Sequence, residues 1–352
     1  MKSLIFILAV FAAKPLLPAQ AAMLPEDDRI FVTESSLDLK KHGVSAQKAE
    51  KGKRNRDSSI IFVVRMPASW NPEESLKAKK ENRSAVRGVI AYCPGHNTEE
   101  ELVSEMKKQA GYHHLVKLAD KYNMALVSWS NFGHYDNSKN FDEISREEQR
   151  KMSQNMDARA AEWERGFKRI LKNWNIPQGD AMVYGVSGGA QTAHRIVMRK
   201  PQYFSGIYIH VNSSYEAPSK AASKVLWFIS TGELEYGYAS AERFYIAALD
   251  SGYCAIFKAA ENLGHATNDQ TKAMCSAFFE YLIHFIPDAT DPKWTPPPVD
   301  KFEMMRYPAY IGDYLNHVAY PPEKAQKLIP KKHMVALPTK QIAQSWGTII
   351  DL

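Results

Sequence analysis

Cysteine is scarce in this chain: Cys93, Cys254 and Cys275 are the only three in 352 residues. Three thiols exclude a disulfide-dense scaffold, and none lies in a cysteine–histidine cluster with zinc spacing. In an exported protein two would pair and one would be left over. Cys254–Cys275 is the pair expected, because Cys93 lies near the proposed site. Long apolar runs are also lacking beyond the N-terminus, so nothing there is fit to span a bilayer. A strong charge of one sign is lacking too, with 45 Lys and Arg against 39 Asp and Glu. That balance gives no reason to expect a nucleic-acid partner. Much of the basic excess lies in Lys40-Lys41-His42 and between Lys48 and Arg56, polar stretches that read as solvated loop. No internal repeat is present.

What the chain does have begins at its N-terminus. Lys2, an apolar run from Leu4 to Ala13 and the triplet Ala19-Gln20-Ala21 make the pattern of a secretory signal peptide. Residues 1–21 are therefore expected to direct export, to a secreted or periplasmic location, and then be removed. No stable membrane insertion is expected after cleavage. Asn82-Arg83-Ser84 and Asn212-Ser213-Ser214 fit glycosylation acceptors.

Strand candidates recur along the next part of the chain: 29–33, 59–66, 88–93, 124–129, 181–184, 204–211, 225–230 and 254–257. Several are apolar at nearly every position, as in Gly88-Val89-Ile90-Ala91-Tyr92-Cys93, which suits strands buried on both faces. Helical patterns fall between them, at 99–121, 147–174, 190–199 and 270–286, and 77–83 reads as a charged connector. This alternation predicts an α/β fold with a mostly parallel central sheet flanked by helices. Residues 22–286 form that domain. From Pro287 to Leu352 the character changes, with ten of the chain's 19 prolines and two of its tryptophans. This stretch reads as an extended, Pro- and aromatic-rich C-terminal extension packed on the core.

Ligands of such sheets bind at the carboxyl ends of the strands. One motif there carries chemistry. Gly185-Val186-Ser187-Gly188-Gly189 joins a strand-like run to a helix-like run, the G-x-S-x-G context of a nucleophilic serine. Such a turn holds the serine in strained backbone angles, with its hydroxyl exposed above the sheet. A hydroxyl needs a base, and His265, in the loop after the last strand, is the candidate. The base needs a carboxylate. Glu235 is the first candidate, Glu233 the second and Glu216 the third. Two backbone donors would stabilise an oxyanion. The amide of Gly188 is one, and that of His96, or else Asn97, is the other. His96 and His194 lack an acidic partner at metal-ligand spacing, so no metal and no cofactor are expected.

The region from Arg29 to Ile286 resembles the α/β-hydrolase superfamily. Within it the chain is similar to compact secreted esterases related to polyhydroxybutyrate depolymerases, feruloyl and acetylxylan esterases, and dienelactone hydrolases. The resemblance rests on Val63-Val64-Arg65-Met66-Pro67, on Val183 to Ala190 around Ser187, and on Pro201-Gln202-Tyr203-Phe204-Ser205-Gly206. It implies a triad in the order Ser187, Glu235, His265 and an acyl-enzyme on Ser187. Two departures stand out. Pro94-Gly95 replaces the usual His-Gly after the oxyanion strand, and the acid is glutamate where aspartate is usual.

Few residues separate the strand ending at Val211 from the one starting at Val225, which leaves no room for a large cap domain and predicts an open cleft. Trp129, Phe132 and Tyr215 are the candidate lining residues. The substrate expected is a small-molecule or polymer-linked ester, with short acyl or aromatic groups, borne in one case on carbohydrate. A peptidase of the same fold and a non-catalytic binding protein on a hydrolase scaffold are the competing readings.

Overall fold

The computed structural model describes residues 29–35, 59–95, 99–107, 113–131, 146–288 and 293–351. The expected signal peptide, His96, Asn97 and Phe132 lie outside the described residues.

Eight strands build one sheet: β1 (Ile30–Ser35), β2 (Ile60–Arg65), β3 (Gly88–Cys93), β4 (Met124–Trp129), β5 (Ala181–Val186), β6 (Phe204–His210), β7 (Leu226–Gly232) and β8 (Ala255–Ala260). Their order is β1-β2-β4-β3-β5-β6-β7-β8. β2 runs antiparallel to β1 and β4, and the other neighbours are parallel. Strands β3, β4, β6, β7 and β8 are buried at every position, as expected when helices cover both faces. The register pairs Cys93 with Gly185, Val186 with His210, and His210 with Ser230. The carboxyl ends of these strands therefore share one edge, and the loops that leave them converge.

Among the described residues, seven helices accompany the sheet: α1 (Pro72–Lys80), α2 (Glu99–Met106), α3 (His113–Lys121), α4 (Arg146–Asn173), α5 (Gly188–Arg199), α6 (Tyr238–Asp250) and α7 (Asp269–Ile283). Helix α3 packs against α7, and α4 against α5. Helix α1 replaces much of the expected connector. Asn71 caps it by accepting the amides of Glu73 and Glu74, at 2.8 and 3.3 Å. Pro72 opens it, two acids occupy its first turn, and three lysines occupy its last. Capping, proline and macrodipole all favour a helix there, although its apolar content is low. Between Val211 and Val225 the chain adds only a single 3-10 turn, Ala222–Lys224, so this connection inserts no cap domain.

The C-terminal residues are not extended. They form α8 (Lys301–Arg306), β9 (Tyr310–Asp313), β10 (Val318–Tyr320), α9 (Pro322–Leu328), β11 (Met334–Leu337), α10 (Lys340–Trp346) and β12 (Thr348–Ile349). The four strands make a second sheet in the order β11-β9-β10-β12. The prolines do not prevent this, because Pro322 takes the first position of α9, where no amide hydrogen bond is lost. The fully buried Trp346 donates its indole N–H to the carbonyl of Phe257 at 2.8 Å. The hydroxyl of Tyr245 donates to Met334 O at 3.2 Å. The small sheet thus leans on β8 and α6.

The three cysteines are free, which corrects the expected Cys254–Cys275 pair. Cys275 faces the core from α7, whereas Cys254 precedes β8 beside Arg306 and Asp300. Asn212 is fully buried and caps Ser214 N at 3.1 Å, so it is no glycosylation acceptor.

Candidate functional site

Ser187 sits between β5 and α5 with φ 53° and ψ −125°. A non-glycine residue there is strained, and such strain persists only where its surroundings enforce it. They do so from below: the amide of Ser187 donates to His210 O, at the end of β6, at 3.0 Å. The glycines around it are sterically required. A Cβ on Gly189 would lie 1.8 Å from the carbonyl oxygen of Cys93, and one on Gly185 would lie 2.8 Å from Cα of Ala190. Strand β3 and helix α5 therefore approach more closely than any side chain permits. Ser187 precedes the helix without capping it through its side chain, so its Oγ is left for another partner.

That partner is His265. Its Nε2 lies 2.8 Å from Ser187 Oγ, and its Nδ1 lies 3.1 Å from Glu235 Oε2. A carboxylate only accepts, so Nδ1 carries the hydrogen and Nε2 accepts from the serine hydroxyl. The imidazole is 43% exposed, whereas the Glu235 side chain is 1% exposed. Among the described residues, Glu235 Oε1 is buried and has no hydrogen-bond partner.

The other two acid candidates are occupied elsewhere. Glu216 pairs with Arg199 Nη1 at 2.6 Å. Glu233 accepts the amide of Asn262 and meets His317, both of which hold its carboxyl below the usual carboxylate range. His194 is buried on α5, and its Nε2 accepts the amide of Glu216 at 2.9 Å. Burial lowers its pKa to about 3, so it stays neutral and structural. Burial likewise pushes Cys93 up to about 12, so it remains a thiol.

Gly188 supplies the first amide of α5, one of the helix N-terminal donors that has no intrahelical acceptor. Gly95, with φ +86°, crosses this helix end, its Cβ direction 3.2 Å from the amide nitrogen of Gly189. The hydroxyl of Thr192 donates to Asn131 Oδ1, and Asn131 Nδ2 donates to Gly95 O at 3.4 Å. Asn131 thereby ties the turn after β3 to the nucleophile helix. Neither Asn131 nor Thr192 stands out in the sequence, because each looks like an ordinary polar residue at a strand end or in a helix.

The expected lining residues need correction. Trp129 is fully buried against Trp163 and Phe62, with centroids 5.4 and 6.4 Å away, and belongs to the core. Tyr215 stacks on Phe244 at 4.7 Å and buries its hydroxyl, so its ring serves packing as well. The side chains that do flank the site come from the acid loop. Leu234 and Tyr236, either side of Glu235, are 72% and 76% exposed. The Tyr236 ring lies nearly parallel to His265 at 6.0 Å, and its hydroxyl is 3.4 Å from Ser213 Oγ. Their exposure in a loop gave no apolar period to read.

His210 is a second histidine of the site. Its Nδ1 lies 3.0 Å from Ser230 Oγ and its Nε2 2.7 Å from Ala266 O, the carbonyl next to His265. Burial lowers its pKa to about 4, so at neutral pH it is uncharged, with Nε2–H donating to Ala266. One residue thus holds the nucleophile turn by its backbone and the base loop by its ring.

A strand–turn–helix nucleophile elbow at the carboxyl edge of a mostly parallel sheet, with acid and histidine following in that order, defines an α/β-hydrolase fold, the scaffold of many serine hydrolases. No protein-family model and no curated protein sequence matches the chain. Among solved structures it is similar to a thermostable esterase, with 10% identity over 67% of this chain and 55% of that one, at a TM-score of 0.43. A ferulic acid esterase gives 17% identity over 72% and 97% of the two chains, at 0.41. The dipeptidyl peptidase 4 of Porphyromonas gingivalis gives 11% identity over 64% and 33%, at 0.42. The chain spans about half the length of the first of these and a third of the last.

Proposed function

We infer that this protein is an exported serine hydrolase that cleaves carboxylic esters through an acyl-enzyme on Ser187. The observation that carries the reading is the pair of contacts at His265, 2.8 Å to Ser187 Oγ and 3.1 Å to Glu235 Oε2. Ser187 Oγ attacks the ester carbonyl while His265 Nε2 takes its proton. Glu235 holds the Nδ1–H tautomer and stabilises the imidazolium. The tetrahedral oxyanion is met by the amide of Gly188, with a second donor from the His96–Asn97 stretch that follows Gly95. His265 returns the proton to the leaving alkoxide. Water then repeats the sequence on the acyl-enzyme and releases the acid. No cofactor enters these steps.

The short connection between Val211 and Val225 and the exposed Leu234 and Tyr236 suit esters of short acyl or aromatic groups, including those attached to bulky or polymeric alcohols such as carbohydrate. Export rests on the pattern of residues 1–21. The test is hydrolysis of p-nitrophenyl acetate and butyrate by residues 22–352, beside Ser187→Ala and beside peptide p-nitroanilides. Ester turnover lost in the variant supports the reading. Turnover of anilides but not esters supports a peptidase, and turnover of neither by folded protein supports a non-catalytic scaffold.

A further inference from the structure

A chain of polar side chains links the small C-terminal sheet to the acid loop. Lys258 Nζ, on β8, lies 2.7 Å from His317 Nδ1. His317 Nε2 lies 2.7 Å from Glu233 Oε1. The other oxygen of Glu233 accepts the amide of Asn262 at 3.0 Å. Lys258 is fully buried, with its ammonium 4.6 Å above the Trp346 ring. Burial lowers its pKa to about 8, so it remains a donor at neutral pH. An ammonium cannot accept, so His317 takes the tautomer in which Nδ1 accepts from Lys258 and Nε2–H donates to Glu233.

Glu233 stands where two loops of the site are joined. Its amide donates to Ala260 O at 3.0 Å, and the next amide, of Leu234, donates to Leu263 O at 2.9 Å. Asn262 and Leu263 lead into His265, and Leu234 leads into Glu235. His317 is itself held firmly: its φ is +55°, and its carbonyl accepts the amide of Thr348, on β12, at 3.1 Å. The sheet docks on β8 and α6 through Trp346 and Tyr245 without this linkage. A contact aimed at the acid loop therefore does something other than docking.

We propose that His317 is a positioning residue for the triad. Through it the C-terminal sheet fixes Glu233, and with Glu233 the joined loops that carry Glu235 and His265. The proposal rests on the esterase reading above and extends it to a residue that touches no reacting atom. Misplacing a catalytic group by about an ångström lowers turnover by up to a hundredfold, whereas a binding surface left in place keeps KM.

The experiment measures kcat and KM for p-nitrophenyl butyrate, together with the rate at which a fluorophosphonate labels Ser187, in the wild type, His317→Ala, His317→Gln and Glu233→Gln. His317→Ala is expected to lose about tenfold to a hundredfold in kcat at unchanged KM, with labelling slowed in proportion. Glutamine offers both an acceptor and a donor, so His317→Gln is expected to restore most of the loss. If His317→Ala does not fold, Glu233→Gln carries the same expectation, because one of its two bonds is lost. Wild-type kcat and labelling in folded His317→Ala or Glu233→Gln would overturn the proposal, as would a loss that His317→Gln leaves unrepaired. A wild type that neither labels nor turns over overturns the esterase reading, and the proposal with it.

Discussion

The carbonyl of His210 accepts the amide hydrogen of Ser187 at 3.0 Å, and the ring of the same histidine reaches Ala266 O at 2.7 Å. The nucleophile and the base are thus fastened to a single residue at the end of β6. Replacing it by leucine keeps the volume but frees the Ala266 carbonyl and takes this partner from the buried Ser230 hydroxyl. That substitution is expected to cost about 1–3 kcal/mol of stability. Released from its hold, the base loop should lower kcat by roughly tenfold or more. Urea unfolding and ester turnover of His210→Leu check the two effects separately, and an unchanged kcat would show that the loop needs no such support.

Glu235→Gln removes the charge and keeps the shape. A neutral amide no longer stabilises the imidazolium and favours the wrong histidine tautomer. The expected loss in kcat is about a thousandfold or more, with KM little changed. Glu233→Gln should fall far short of that, since Glu233 lies two positions away, on the other side of Leu234, and meets His317 in place of His265. Equal losses in the two variants would mean that the acid has been misassigned.

Two buried histidines make the fold sensitive to acid. Burial lowers His210 to about 4 and, with Arg195 and Arg199 adding to it, His194 to about 3, both from an ordinary 6.5. The unfolded chain therefore takes up protons between pH 6.5 and 4 that the folded chain refuses, and stability declines as pH falls through that window. The loss amounts to about 3 kcal/mol for each histidine by pH 4. Urea midpoints from pH 7 to 4.5 should drop steadily, with a shallower slope in His210→Leu. A level profile would contradict the burial of neutral histidines.

Tyr236 is a large aromatic side chain left 76% exposed beside the exposed edge of His265. An aryl group on the substrate would gain a stacking partner there, worth about 0.5–1.5 kcal/mol. Tyr236→Ala is expected to raise KM for hydroxycinnamate esters about threefold to tenfold while leaving KM for acetyl and butyryl esters unchanged. A uniform change across both classes would remove Tyr236 from aromatic recognition.

The legible parts of this molecule are those where a local pattern has a single physical solution. Val89 to Cys93 and Met124 to Trp129 are buried on both faces, so their unbroken apolar runs reveal a covered sheet. The glycines around Ser187 are legible because β3 and α5 leave no space for a side chain. Other parts depend on contacts between distant segments. The second sheet has strands of two to four residues, too short for alternation to show. Trp129 reads equally well as a cleft wall or as core, and only its packing on Trp163 decides. His210 and His317 resemble any other histidine until β6 and β10 bring them to Ala266 and Glu233.

Ester cleavage by this site requires that Ser187 become acylated. The most direct measurement mixes the protein with p-nitrophenyl butyrate, quenches it in acid within milliseconds, and maps the added mass by peptide sequencing. A butyryl group is expected on the peptide containing Ser187, formed at the rate of the p-nitrophenol burst and absent from Ser187→Ala. Turnover without any adduct, or an adduct on another residue that persists in Ser187→Ala, would contradict it.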